Sequence, residues 1–170
     1  MPRSIRLLAL AFALPLSACA AAPHAAHAAD DTPYAPGLGE IMTLQQMRHL
    51  KLWYAGQAGN WPLADYELDE LKEGFEDIVK YHPTHDDVPT ATMATAVVDG
   101  EVAALGKAIA AQDRKQFTAS FDKLTAACNA CHQSAKHAFI VVRRPTGNPY
   151  TNQSFAPLRN AETKSHKHRH

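Results

Sequence analysis

Two cysteines and a histidine lie within five positions, in the stretch "CNACH" at residues 128–132. The surrounding residues, "KLTAACNACHQSAKHAF", have helical composition, so Cys128 and Cys131 occupy neighbouring positions on one helix face and His132 follows directly. C-x-x-C-H is the attachment signature of c-type haem, in which each sulfur forms a thioether with one vinyl group. The adjacent imidazole can then bind the iron. We therefore predict one covalent haem c on Cys128 and Cys131, with His132 as proximal axial ligand.

Three other uses of the cysteine pair are weaker. A thioredoxin-type dithiol is expected at a strand-to-helix junction, whereas this pair lies within a helical stretch. A zinc site needs further cysteines or well-spaced histidines, and the chain has no second cysteine pair. A disulfide across two intervening residues of a helix is sterically awkward. The motif and its helical setting favour haem over all three.

The first residues have the pattern of an export signal. Two arginines in "MPRSIR" precede the uncharged run "LLALAFALPL", which is too short to span a bilayer. "LSAC" resembles a lipobox, which would leave a lipidated Cys19 as the mature N-terminus, whereas "AHA" suits ordinary signal peptidase. We predict a signal peptide over 1–28, or over 1–18 for a lipoprotein, followed by a linker over 29–37. The expected location is the periplasm, either soluble or attached to a membrane through Cys19.

Apolar residues at three- and four-residue spacing predict an all-α fold. The predicted helices cover about 38–58, a segment from "NWP" to about Tyr81, roughly 89–111, and a fourth segment capped by Asp113 that runs to Phe139. Short connections between them predict an antiparallel four-helix bundle over 38–139, with the haem near the C-terminal end of the fourth helix. Residues 140–170 are predicted to be an irregular, basic, His-rich tail. No strand-period run appears apart from the brief "FIVV".

Four antiparallel helices with C-x-x-C-H near the end of the last one resemble class II cytochromes c, the cytochrome c′ group and its low-spin relatives. The stretch "RHLKLWYAGQAGNWPLADYELDEL" is also similar to small monohaem cytochromes of Gram-negative bacteria. The resemblance implies thioether links at Cys128 and Cys131 and iron ligation by His132. It further implies that the first helix covers the distal side of the iron, with methionine there in low-spin members and an apolar side chain in high-spin members.

The first helix offers two side chains that could act as the sixth iron ligand. His49 and Met42 are seven positions apart and therefore share one helix face, whereas Met47 points nearly the opposite way. Ligand chemistry favours His49, with Met42 as the alternative and an open or apolar distal site as a further one. Arg143 and Arg144 follow the haem helix closely and are candidates for contacts with the haem propionates.

A single haem in a small exported bundle predicts an electron carrier rather than an enzyme. Its expected partners are redox proteins of the periplasm, and a homodimer is a further prediction. The chain has 17 basic and 17 acidic residues, and this balance gives no support to nucleic-acid binding. One alternative is a five-coordinate haem sensor of gases or small ligands. Another is a metal-handling protein that uses the terminal "SHKHRH".

Overall fold

The computed structural model describes residues 33–158 as a bundle of helices. In chain order these are α1 (Leu38–Ala58), α2 (Trp61–Tyr81), α3 (Thr90–Val97), a π-helix (Val98–Val102), α4 (Ala103–Ala110) and α5 (Arg114–Ser134). The helices α3 and α4 and the π-helix between them form one continuous third helix, because Val98 and Ala103 both keep right-handed helical backbone angles. The described part of the chain contains four packed helices and no strand, which confirms the all-α prediction.

Some sequence predictions concern residues outside the described range. These are the signal peptide, the lipidation site Cys19 and the terminal histidine tract. Within residues 33–158, no helix is both long enough and apolar enough to cross a membrane.

Local capping explains where the helices begin. The side chain of Asn60 accepts a hydrogen bond from the backbone N–H of Leu63, and Pro62 occupies the first turn of α2, as predicted. Asp113 caps α5 in the same way through Gln116 N–H at 2.9 Å. Gly59, with φ of 71°, turns the chain between α1 and α2 and accounts for their antiparallel packing.

The buried core is formed by one apolar stripe from each long helix. Three of its largest fully buried side chains belong to α5: Phe117, Phe121 and Leu124. Trp53 and Leu52 of α1 pack against it, and the second and third helices contribute Leu68, Leu71, Phe75, Ile78, Leu105 and Ile109. Burying these large side chains is the main stabilising contribution to the bundle.

The fourth helix ends earlier than its sequence pattern suggests. α5 ends at Ser134, and Lys136 adopts a left-handed conformation with φ of 60°, so Phe139 lies outside the helix. The stretch "FIVV" is irregular rather than a strand. Residues 140–156, which we call the return segment, pack back on the bundle. Phe155 in this segment is 8% exposed and its ring lies 5.6 Å from that of Tyr54.

Candidate functional site

The C-x-x-C-H residues lie on one side of α5 near its end, and each has different neighbours. Cys128 continues the buried stripe of Phe117, Phe121 and Leu124 at helical spacing and packs against the core. Cys131 faces the third helix and lines a groove there. His132 is seven positions after Thr125 and so lies on the face that α5 turns toward α1. The motif therefore spans the boundary between the core and two neighbouring helices.

Both thiols are unpaired and poorly suited to redox exchange. Burial, with smaller contributions from the neighbouring Cys131 and the carboxylate of Glu101, raises the pKa of Cys128 to about 11. Burial also raises the pKa of Cys131. Reactive dithiols need a lowered pKa, because the thiolate is the nucleophile. At neutral pH these cysteines are protonated, which argues against a thioredoxin-like role.

A surface groove of about 450 Å³ lies beside Cys131, between α5 and the third helix. Its walls include the small residues Gly100, Ala127 and Ala130, and Met93 also lines it. Gly100 belongs to the π-helix, a feature that is frequent at functional sites, and a side chain at its position would meet no atom within 4 Å. The groove volume falls within the range of small-molecule and cofactor pockets, about 300–1,000 Å³.

The hydrogen bonds of His132 leave one ring nitrogen free. Its Nδ1 lies 3.0 Å from the backbone carbonyl of Ile140 and donates to it, so Nε2 carries the lone pair. This is the arrangement that fixes the tautomer and orientation of metal-binding histidines. Two unpaired thiols three positions apart and a correctly oriented imidazole fit covalent haem, and the adjoining groove offers room on one side.

A second contact holds the segment that carries the carbonyl of Ile140. Asn129, between the two cysteines, donates to the carbonyl of Val142 and accepts from its N–H, both at 2.8 Å. This pair of bonds fixes the return segment along α5 two residues after Ile140. This contact between Asn129 and Val142 was not predicted from the sequence. The asparagine inside the motif was visible, but its role depends on where the chain returns.

The two arginines that follow α5, Arg143 and Arg144, have different surroundings. Arg144 binds the carboxylate of Asp122, with Nε and one terminal nitrogen at 3.1 and 2.7 Å from Oδ1. Its guanidinium also lies 4.8 Å from the Trp53 ring. Arg143 is exposed. Arg144 thus already has an anionic partner, which a haem propionate would have to replace, whereas Arg143 is free to turn. The propionate contacts remain a prediction.

Contacts between α1 and α5 define their antiparallel register. His49 meets Thr125, and four residues later on α1 Trp53 meets Phe121, four residues earlier on α5. Seven residues before His49 on α1 is Met42, and seven residues after Thr125 on α5 is His132, so the same register places Met42 level with His132. Met42 is half-buried and packs against the core. Of the two predicted sixth ligands, Met42 is thus level with His132, and His49 lies two turns away on the same face.

His49 is enclosed between α1 and α5. It is 4% exposed, and its ring lies 4.4 Å from that of Phe121. Thr125 donates to the carbonyl of Phe121, so its hydroxyl accepts from Nε2–H of His49 at 2.8 Å. Burial lowers the pKa of His49 to about 4. The imidazole is therefore neutral at physiological pH, as iron ligation also requires, and ligation through Nε2 would replace the bond to Thr125.

Comparison with known proteins gives no relative that could assign this site. The chain matches no protein-family model, no curated protein and no solved structure.

Proposed function

We propose that this chain is an exported c-type cytochrome, similar to class II cytochromes c, that carries electrons through one covalent haem. Cys128 and Cys131 would hold the haem and His132 would bind its iron. The observation that carries the proposal is the hydrogen bond from His132 Nδ1 to the Ile140 carbonyl, which leaves Nε2 available for a metal. The bound haem would supply a one-electron redox centre.

The surroundings of the motif suit electron transfer better than catalysis. The axial imidazole is held by a backbone carbonyl, and Asn129 fixes the segment that carries this carbonyl. A ligand held in this way keeps its orientation when the iron changes charge. His132 and Cys131 are half-buried, so one edge of the site is near the surface. These features support a carrier that exchanges electrons with periplasmic partner proteins.

The sixth ligand would come from α1. Register supports Met42, and ligand chemistry supports His49, which is buried on the correct face. The choice affects the partners, because histidine–methionine ligation gives a higher reduction potential than two imidazoles.

The test of the proposal is production of the full chain in a host that exports proteins and attaches c-type haem. We expect a coloured protein whose mass includes one haem and whose reduced spectrum has the bands of haem c. Cys128→Ala with Cys131→Ala should abolish attachment, and His132→Ala should remove the native axial ligand. His82→Ala, which replaces a histidine outside the motif whose Nε2 bonds to the carbonyl of Pro36, is the matched control and should leave the spectrum unchanged. A colourless parent protein with both thiols free or joined to each other would refute the proposal.

Spectra of Met42→Ala and His49→Ala decide the sixth ligand. The true ligand's removal should convert low-spin iron to a form that binds carbon monoxide, while removal of the other residue should leave the spin state unchanged. A parent protein that is low-spin and indifferent to carbon monoxide would exclude the sensor alternative. A high-spin parent that binds it would count against the electron carrier.

A further inference from the structure

Two histidines outside the C-x-x-C-H motif approach each other at the same end of the bundle. His85 lies in the turn between α2 and α3, and His137 follows α5. Their ring centroids are 6.0 Å apart, with an angle of 41° between the ring planes. Sequence spacing gives no sign of this pair, because the two residues are 52 positions apart and meet only through the fold.

The backbone holds both histidines in place. His85 and Val88 exchange backbone hydrogen bonds of 3.0 and 2.9 Å around Asp86 and Asp87, whose φ angles of 47° and 66° are unusual for residues other than glycine. His137 follows Lys136, which is also left-handed, and its N–H donates to the carbonyl of His132 at 2.7 Å. Such conformations persist only where surrounding contacts impose them.

One ring nitrogen of His137 is available for a ligand, and a carboxylate lies beside the ring of His85. Nδ1 of His137 lies 2.6 Å from the carbonyl of Ala135 and donates to it, so Nε2 is the nitrogen that a ligand can use. His85 is 37% exposed, and its Nε2 is 3.9 Å from a carboxylate oxygen of Asp86. That carboxylate is 71% exposed and adds negative charge beside the pair. The site thus combines two imidazoles with a nearby carboxylate oxygen.

We propose that His85 and His137 bind one divalent transition-metal ion of the kind that prefers imidazole, Zn²⁺ or Cu²⁺. With a metal–nitrogen bond of roughly 2.0–2.1 Å, two imidazoles on one ion have centroids roughly 5 Å apart at a tetrahedral angle and roughly 6.4 Å apart when linear. The observed 6.0 Å lies between these values. Within residues 33–158 no three histidine, cysteine or acidic side chains are close enough to hold a metal, so water completes the coordination. Exposed Asp86 can add a ligand by rotating its side chain.

The ion would connect two parts of the chain that lie beside the haem-binding motif. His85 belongs to the connection between the second and third helices, and His137 lies between α5 and the Ile140 carbonyl that holds His132. Binding would therefore restrain the end of α5. This inference does not depend on haem attachment, since neither histidine belongs to the C-x-x-C-H motif.

The test is titration of the full-length chain with Zn²⁺ by calorimetry. Free thiols are first alkylated, so that cysteines left without haem cannot bind zinc. His166, His168 and His170 are replaced by glutamine in every protein, which removes the terminal histidine tract as a competing site. We expect one Zn²⁺ per chain, bound at least about tenfold more weakly in His85→Ala and in His137→Ala, since even outer-shell changes cost 10–100-fold.

His82→Ala is the matched control, because His82 is three residues from His85 and its Nε2 already bonds to the carbonyl of Pro36 at 2.8 Å. It should keep the parent affinity. Electron paramagnetic resonance of one equivalent of Cu²⁺ gives a second measurement, with two nitrogen ligands in the parent and one in each single variant. Zinc affinity that is unchanged in both alanine variants, or that falls equally in the His82 control, would overturn the proposal.

Discussion

Burial of His49 predicts that acid weakens the fold. The burial of its imidazole lowers the pKa from an ordinary 6.5 to about 4. Between these values the unfolded chain binds a proton that the folded chain rejects, so stability is lost as pH falls from about 6.5 to about 4. At 1.36 kcal/mol per pKa unit, the loss amounts to about 3 kcal/mol. That is a large share of a typical unfolding free energy of about 5–15 kcal/mol.

The variant that isolates this effect is His49→Gln, whose amide does not titrate and can still donate to Thr125. Urea unfolding of both proteins is measured at several values from about pH 7 to about pH 4, and the difference in unfolding free energy is plotted against pH. We expect the unfolding free energy of the parent minus that of His49→Gln to fall by about 3 kcal/mol as the pH is lowered from about 7 to about 4. Glu67 is buried and its carboxyl pKa is raised by burial, so it acts with the opposite sign, but it is present in both proteins and cancels.

A difference that stays constant with pH would refute the reasoning, because it would mean that His49 takes up its proton equally in both states. The titration does not decide whether His49 binds iron. An iron-bound imidazole must also be deprotonated, so ligation would give the same sign. The spectra of the alanine variants answer that separate question.

The packing of α1 and α5 and the contacts of the return segment give further predictions. Gly56→Ala would place a methyl group 2.2 Å from the buried ring of Phe117, and we expect it to lower the unfolding free energy by about 1–3 kcal/mol despite the better helix propensity of alanine. Gly39→Ala meets nothing within 4 Å and should leave stability unchanged or slightly increased; equal midpoints for the two variants in urea would contradict the packing argument. Arg144→Ala should cost about 1 kcal/mol in the same assay, since it loses a half-exposed ion pair and a contact with an indole ring. Arg143→Ala should cost almost nothing, and a cost as large as that of Arg144→Ala would show that the pairing contributes little.

The starts of the helices could be predicted because the signals that determine them are local. Asn60 and Asp113 each cap a helix within three residues of their own position, and the sequence contains everything that this contact needs. The spacing of apolar residues likewise predicted which face of α5 is buried, including Phe117 and Phe121. The motif at 128–132 fixed the candidate residues for the same reason.

The end of α5 could not be predicted in this way. Residues after Ser134 have ordinary helical composition, and no glycine or proline marks a stop before Phe139. The helix ends where Lys136 adopts a left-handed backbone, a conformation that no local preference of lysine predicts. The π-helix at Val98–Val102 could not be predicted from the sequence either, because one widened turn barely changes the spacing of the apolar residues.

The return segment explains why sequence reasoning found the candidate ligand but not what holds it. Ile140, Val142 and Arg144 contact α5 progressively closer to its start, from His132 back to Asp122. The ten residues between those two contacts correspond to about 15 Å of helix. The orientation of one imidazole therefore depends on hydrogen bonds and an ion pair spread along half of α5. A motif of five residues specifies the atoms that we propose to bind a haem, whereas the direction in which the imidazole nitrogen points is set by a segment that the sequence presents only as a basic tail.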